Sequence, residues 1–130
     1  MNDDKFVLRL AKKSIGEVKK KSQDEFNAFV RDRDKDERCN SCGSGDVAHA
    51  GHFFSVGAHP SVRFDEDNVH GQCIRCNNFL HGNLANYKDG LIKKIGIDRF
   101  NALDKRKNVT VQMKKLDYIY KFLEYKNKRK

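Results

Sequence analysis

The sequence predicts an α+β fold: a small ββα module stapled by a metal ion and packed with N- and C-terminal α-helices. Three observations predict it. All four cysteines fall in two Cys-x₂-Cys pairs, Cys39/Cys42 and Cys73/Cys76, with 30 residues between them. The insert carries short extended runs separated by turns. Both flanks place apolar residues at helical spacing among many charges.

The chain has 130 residues, 38% of them hydrophobic, with nine Phe and no Trp. That supports one modest core, which a metal staple would help to close. We therefore expect a single domain over 1–130. Its parts are N-terminal helices in 1–38, the metal-bound ββα module in 39–84 and a basic helical region in 85–130. One Pro and nine Gly argue against a low-complexity chain. No apolar stretch of roughly 7–15 residues opens the chain, so no signal peptide is expected. No run approaches about 18 apolar residues, so no membrane span and no membrane partner are expected. The expected location is the cytoplasm, where reducing conditions disfavour disulfides and leave paired cysteines to metal.

The elements follow in chain order. Phe6, Leu10, Ile15 and Val18 fall loosely on one face and predict a helix over 5–21. Ser22 and Glu25 read as a capping box. Phe26, Phe29 and Val30 make an apolar stripe, which predicts a helix over 23–35. The alternating charges of Arg31 to Arg38 read as an exposed helix end and loop. Cys39-Asn-Ser-Cys42-Gly43 reads as a first knuckle, with Gly for the tight turn. A strand is expected over 47–54, a loop over 55–60, an acidic turn at Asp65-Glu66-Asp67 and a second strand over 68–72. Cys73-Ile-Arg-Cys76 is the second knuckle, and a helix is expected to begin over 77–84. Leu84, Tyr87, Leu91 and Ile95 keep helical spacing up to Gly96, a C′ stop. A short helix over 97–103, a basic loop over 105–108 and a last helix capped by Thr110 complete the chain. That last helix carries Met113, Leu116, Tyr120 and Leu123, and 126–130 reads as a frayed end.

The formal charge is +9, and it is unevenly placed. Residues 1–82 hold 13 basic and 13 acidic side chains; residues 83–130 hold 14 and 5. A basic region of this kind suits a polyanion, most often nucleic acid. The expected phosphate contacts are Arg63, Arg75, Lys88, Lys93, Lys94, Lys105, Arg106, Lys107, Lys114 and Lys115. The bland reading of the same charges is a solvated helical surface.

A Cys-x₂-Cys pair sets two thiolates on one turn at the bite of tetrahedral Zn²⁺, about 2.3 Å from each sulfur. Two pairs close the coordination sphere. Cys39, Cys42, Cys73 and Cys76 are thus expected to hold a structural Zn²⁺. Disulfides are the competing reading.

The insert also carries His49, His52, His59 and His70, and His81 lies just beyond Cys76. HNH-type (ββα-metal) nucleases need a His general base, an Asn that steadies its loop and a metal ligand on the following helix. His52, Asn68 and Asn77 fall in that order. His81, at i+4 from Asn77, and His49 are further candidate ligands for a catalytic Mg²⁺ or Mn²⁺. Singly, each reads blandly: His52 as a structural residue beside Phe53, Asn68 as a turn residue, Asn77 as a helix cap. His59 reads as a loop residue before Pro60, His70 as a strand residue, and Asp65 and Glu66 as surface.

The stretches Gly51-His52, Gly57-Ala58-His59-Pro60, Arg63-Phe64-Asp65-Glu66-Asp67-Asn68, His70-Gly71-Gln72-Cys73, Cys76-Asn77-Asn78 and Gly82-Asn83-Leu84 resemble the phage NinG, or Rap, recombination endonucleases. The paired knuckles followed by Asn also resemble phage endonuclease VII. The resemblance implies a structure-selective endonuclease that cuts branched recombination intermediates such as Holliday junctions and flaps. It makes His52 the base and Asn77 the metal ligand. Two cuts per junction imply a homodimer, and a recombinase is a further expected partner. Two departures stand out: Gly51 where many HNH enzymes have Asp, and His49 where the Asp-Arg-Gly-His pattern is acidic. The alternative is a non-catalytic, zinc-stabilised module that binds branched DNA.

Overall fold

The computed structural model describes residues 3–129 and is a mixed α+β structure. Its elements are α1 (Asp3–Ala11), α2 (Ile15–Arg33), β1 (His49–His52), β2 (Val69–Gln72), α3 (Leu84–Ile95), α4 (Ile97–Arg106) and α5 (Lys115–Lys128). A 3₁₀ turn, Pro60–Val62, lies between the strands, and a π-helical turn, Arg75–Phe79, follows β2. The described residues form two compact units. One takes the residues up to Phe29 and those from Gln112 on; the other is Val30–Val111.

In the first unit, α1, the front of α2 and α5 bury Leu10, Val18, Phe26, Ile119, Leu123 and Tyr125. Phe26 and Tyr125 meet edge to face with centroids 4.6 Å apart, a favoured aromatic geometry. The single helix expected over 5–21 is broken at 12–14. Ser14 caps α2 instead: Glu17 N donates to Ser14 Oγ at 3.2 Å, and Ser14 Oγ donates to Glu17 Oε1 at 3.3 Å. The expected cap at Ser22 fails for a physical reason. Ser22 is fully buried mid-helix, and its hydroxyl donates to Lys19 O at 2.9 Å. Its expected partner Glu25 is held by Arg129 at 2.6 Å. Thr110 caps nothing either; α5 starts later, where Lys114 N donates to Asp117 Oδ2 at 2.8 Å. The expected fray shrinks, because α5 runs to Lys128.

In the second unit, β1 and β2 pair antiparallel, with His49 opposite Gln72 and His52 opposite Val69. Both strands are shorter than the runs read from sequence. The core here gathers Val62, Tyr87, Leu91, Phe100 and Leu103, with Phe53, Phe54, Ile92 and Ile95 packed against it. Gly96, at φ +90°, ends α3 by donating to Ile92 O at 2.8 Å and starts α4. The helix expected from Asn77 is instead a π-turn, three left-handed residues and then α3. The short helix over 97–103 extends to Arg106, so Lys105 and Arg106 are helical rather than in a loop.

The charge run before the first knuckle is not all solvated. Asp34 is 2% exposed. It accepts from Gly71 N at 2.8 Å, Arg33 Nε at 2.8 Å and Lys94 Nζ at 3.2 Å. Burial alone would raise its pKa, but Arg33, the Gly71 N–H and Lys94 outweigh burial and hold it at about 2. Among the described residues, no helix is long and apolar enough to cross a membrane.

Candidate metal centre and adjoining cleft

The four cysteine sulfurs lie within 4.8 Å of one another. Cys42 Sγ and Cys73 Sγ are 3.8 Å apart. A tetrahedron with metal–sulfur bonds of about 2.3 Å has edges of about 3.8 Å, so the spacing fits a zinc-sized ion. Short polar contacts surround the sulfurs, as ligating thiolates require. Gly45 N lies 3.4 Å from Cys42 Sγ, Cys76 N 3.4 Å from Cys73 Sγ and Asn83 Nδ2 3.5 Å from Cys76 Sγ. Gly45 must be Gly here: a Cβ would stand 2.6 Å from Cys73 Cβ. The N–H groups of Ser44 and Gly45 draw the Cys42 pKa down to about 6. Burial drives Cys76 up to about 12, a cost that a bound dication removes. This is the one group of three or more His, Cys, Asp or Glu among the described residues with the spacing for a metal.

Beside the knuckles, a cleft of about 350 Å³ is lined by Ala50, His52, Phe53, Ser55, Val56, Asn77, His81, Gly82 and Leu84. Three expected site residues therefore line one cleft: His52 from the end of β1, Asn77 from the π-turn and His81 after it. His52 Nε2 lies 3.0 Å from Arg63 O. A carbonyl only accepts, so Nε2 carries the proton. Burial, the largest influence, lowers the His52 pKa and keeps the ring neutral, which places the lone pair on Nδ1. His81, Gly82 and Asn83 are successive left-handed residues, at φ +51°, +90° and +45°. Such a turn costs energy for non-Gly residues. Gly82 N to Cys76 O, at 2.8 Å, ties it to the second knuckle. Strain of this kind concentrates at functional sites.

Asn68 is fully buried and joins the loop between the strands. Its Oδ1 accepts from Phe54 N at 2.8 Å. Its Nδ2 donates to Phe54 O at 3.0 Å and to Val62 O at 3.1 Å. The side chain thereby imitates a neighbouring strand for the residues that follow His52.

Other expected site residues lie elsewhere. His49 is outside the cleft: three positions from His52 on a strand, it faces the opposite side. His70 is buried among polar partners, with Nε2 2.9 Å from Asp67 O and Nδ1 3.2 Å from Arg33 Nη2. Burial and the cations Lys94 and Arg33 push its pKa down to about 4. Asp65 is paired to Arg106 at 2.8 Å. His59 Nδ1 lies 3.4 Å from Lys107 O.

The expected phosphate contacts also divide. Arg63 is 8% exposed. Lys94 pairs with Glu37 at 2.8 Å as well as Asp34, Arg106 pairs with Asp65, and Lys107 pairs with Asp104 at 2.7 Å. Lys115 Nζ donates to Ala11 O at 3.1 Å. Arg75, Lys88, Lys93, Lys105 and Lys114 are exposed.

Two residues gave no functional signal in the sequence. Gln72 is fully buried and donates from Nε2 to Ser41 Oγ at 2.8 Å and to Gly82 O at 2.7 Å. It thus links the first knuckle to the cleft. A Cβ on Gly51 would stand 1.8 Å from Gln72 Oε1, so the Gln72 amide fills the space that a side chain at 51 would need. Tyr87, expected only as a core residue, donates from its hydroxyl to Gly51 O at 2.6 Å and anchors β1.

Residues 3–130 match the family described as Bacteriophage Lambda NinG protein. The chain is 41% identical over 108 residues to protein ninG of Escherichia phage 933W, covering 81% of this chain and 54% of the relative. It is 42% identical over 104 residues to protein ninG of Salmonella phage P22, covering 78% and 51%. It is 40% identical over 108 residues to protein ninG of Escherichia phage lambda, covering 81% and 53%. The chain spans about half the length of these curated relatives. No solved structure matches. These matches correct the function expected from the sequence. They carry the name NinG and neither Rap nor any activity, so structure-selective cleavage of Holliday junctions and other branched intermediates does not follow for this chain.

Proposed function

The chain belongs to the NinG family of bacteriophage proteins, and from that premise we propose that its cleft is a metal-dependent phosphodiesterase centre of HNH type acting on DNA. One observation carries the reading: His52, Asn77 and His81 share a cleft in which the Arg63 carbonyl orients the His52 ring. A neutral imidazole with its lone pair on Nδ1 accepts a proton from an attacking water. Arg63 O accepts the hydrogen bond from Nε2–H and steadies the cationic ring that results. Asn68 fixes the chain just after His52, which keeps the ring in place.

The Asn77 amide oxygen and a His81 ring nitrogen offer an oxygen and nitrogen donor pair. Such a pair fits Mn²⁺ or Mg²⁺ once a substrate phosphate adds negative charge. A divalent cation there would supply charge to the phosphoryl oxygens. Arg75, Lys88, Lys93 and Lys105 add phosphate contacts without reading bases. The cysteine centre takes Zn²⁺ as a closed structural site, in the reducing cytoplasm of the host.

The test is a cleavage assay on end-labelled linear single- and double-stranded DNA, with Mg²⁺ and with Mn²⁺, for the wild type and His52→Ala. Cuts that slow by about 10²–10⁴-fold in the variant support the reading. DNA binding with no cut in either protein would make this a non-catalytic zinc-stabilised DNA-binding module.

A further inference from the structure

A second hollow, of about 400 Å³, opens beside the cleft and is lined by Phe53, Phe54, Ser55, His59, Leu84 and Ala85. It shares Phe53, Ser55 and Leu84 with the cleft, so the two adjoin. Its walls are aromatic. The Phe53 and Phe54 rings stand 4.7 Å apart at 64°, and His59 meets Phe54 at 5.2 Å and 67°. The platform is rigid, since the Asn68 amide bonds both the N–H and the carbonyl of Phe54. Leu84 remains 48% exposed at the rim.

The polar groups here suit a flat heterocycle. Ser55 Oγ accepts from Ala58 N at 3.3 Å and keeps its own proton to donate. His59 Nδ1 lies 3.4 Å from Lys107 O, a carbonyl that only accepts, and the tautomer with its proton on Nδ1 presents Nε2 as an acceptor. Outside the lining, Lys107 Nζ sits over the Phe54 ring, 5.0 Å from its centroid, and pairs with Asp104 at 2.7 Å. An apolar hollow with aromatic walls, one hydroxyl donor and one imidazole acceptor matches a nucleobase.

We propose that this hollow holds one unstacked nucleobase of the DNA strand whose phosphodiester lies in the cleft. The inference rests on the DNA reading of the cleft and adds a substrate class: a strand in which the base beside the scissile phosphate is free to leave its stack. A fully paired duplex must first give up a pair, which weakens it as a ligand.

Binding without turnover tests this. Zinc-loaded protein is titrated, with no added Mg²⁺ or Mn²⁺, into single-stranded oligonucleotides that carry one 2-aminopurine at successive positions. A matched set replaces that nucleotide by an abasic site. Ala85→Trp fills the hollow from an exposed helix position, and its melting curve reports its folding. In the wild type, one position brightens on binding and its abasic counterpart binds about 5- to 100-fold more weakly. Ala85→Trp loses that preference and binds both at the weaker affinity. Equal wild-type affinity for base and abasic strands, with no position brightening, overturns the proposal. So does an Ala85→Trp protein that folds and keeps the preference. The hydrolytic reading fails separately: an intact base preference with no cleavage in either metal would refute hydrolysis and leave the base site standing.

Discussion

His52 Nε2 lies 3.0 Å from the backbone carbonyl oxygen of Arg63, eleven residues further on. That contact turns the ring and assigns its tautomer. Because burial lowers the His52 pKa below the ordinary histidine value, the basic form persists as pH falls past about 6.5. The acid limb of the cleavage rate should therefore lie below pH 6.5. A pH–rate profile with Mn²⁺ measures it, and a limb centred above pH 7 would contradict this placement.

His70 should make the fold acid-sensitive. Its folded pKa, about 4, is below the unfolded value of about 6.5. Above pH 6.5 both states are neutral, and the full contribution to stability is present. Between about pH 6.5 and 4 the unfolded chain takes up a proton that the folded chain refuses, so stability falls with pH, by up to on the order of 3 kcal/mol. His70→Gln keeps a donor for Asp67 O and an acceptor for Arg33. Urea melts across this window should show a shallower decline in the variant; an unchanged slope would assign the sensitivity to other groups.

Gly51 and Gln72 should be energetically coupled. Gly51→Ala drives a Cβ into Gln72 Oε1, and the Gln72 amide is tied at Ser41 and Gly82. We expect a loss of about 1–3 kcal/mol. Gln72→Ala alone should also destabilise, through unmet partners at Ser41 and Gly82. In the double variant the losses should fall short of additive by about 0.5–3 kcal/mol, as read from denaturant melts. Strict additivity would mean that the two residues do not share that space.

The cysteine centre should hold one zinc per chain, measured by native mass spectrometry. Cys76→Ser should lose the ion and the cooperative melt of residues 30–111, because ligation and folding of such a site are one equilibrium. A chelated protein with an unchanged circular dichroism spectrum and melting temperature would show that the fold stands without metal.

Lys93 and Lys94 are neighbours on α3 with different expected roles. Lys93 is exposed, so Lys93→Ala should weaken DNA binding and lower the salt slope by about one, with little change in stability. Lys94 supports buried Asp34, so Lys94→Ala should lower stability by about 1–3 kcal/mol. Salt-dependent binding isotherms and melts on both variants check this; equal effects would remove the distinction.

Whatever depends on local spacing is legible in the chain alone. Two Cys-x₂-Cys pairs fix the bite of a metal site, and residues at helical intervals announced α3 with its Gly96 stop. The strand pair around Gly51 and the chain order of His52, Asn77 and His81 were legible as well. Whatever depends on distant partners emerges with the folded arrangement. Ser14-x-x-Glu17 and Ser22-x-x-Glu25 are the same local signal, yet only Ser14 caps a helix, because α2 runs through buried Ser22, whose hydroxyl donates back to Lys19 O. The short strands and the π-turn at Asn77 likewise escaped local propensity. Asp34 looked like one more surface charge until Gly71, Arg33 and Lys94 closed on it. The space beside Gly51 belongs to Gln72, 21 positions later in the chain, because the antiparallel register lays the two on one face of the sheet. Spacing along a chain encodes a bite or a helical face; a buried hydrogen bond between remote residues exists only once the chain has folded around it.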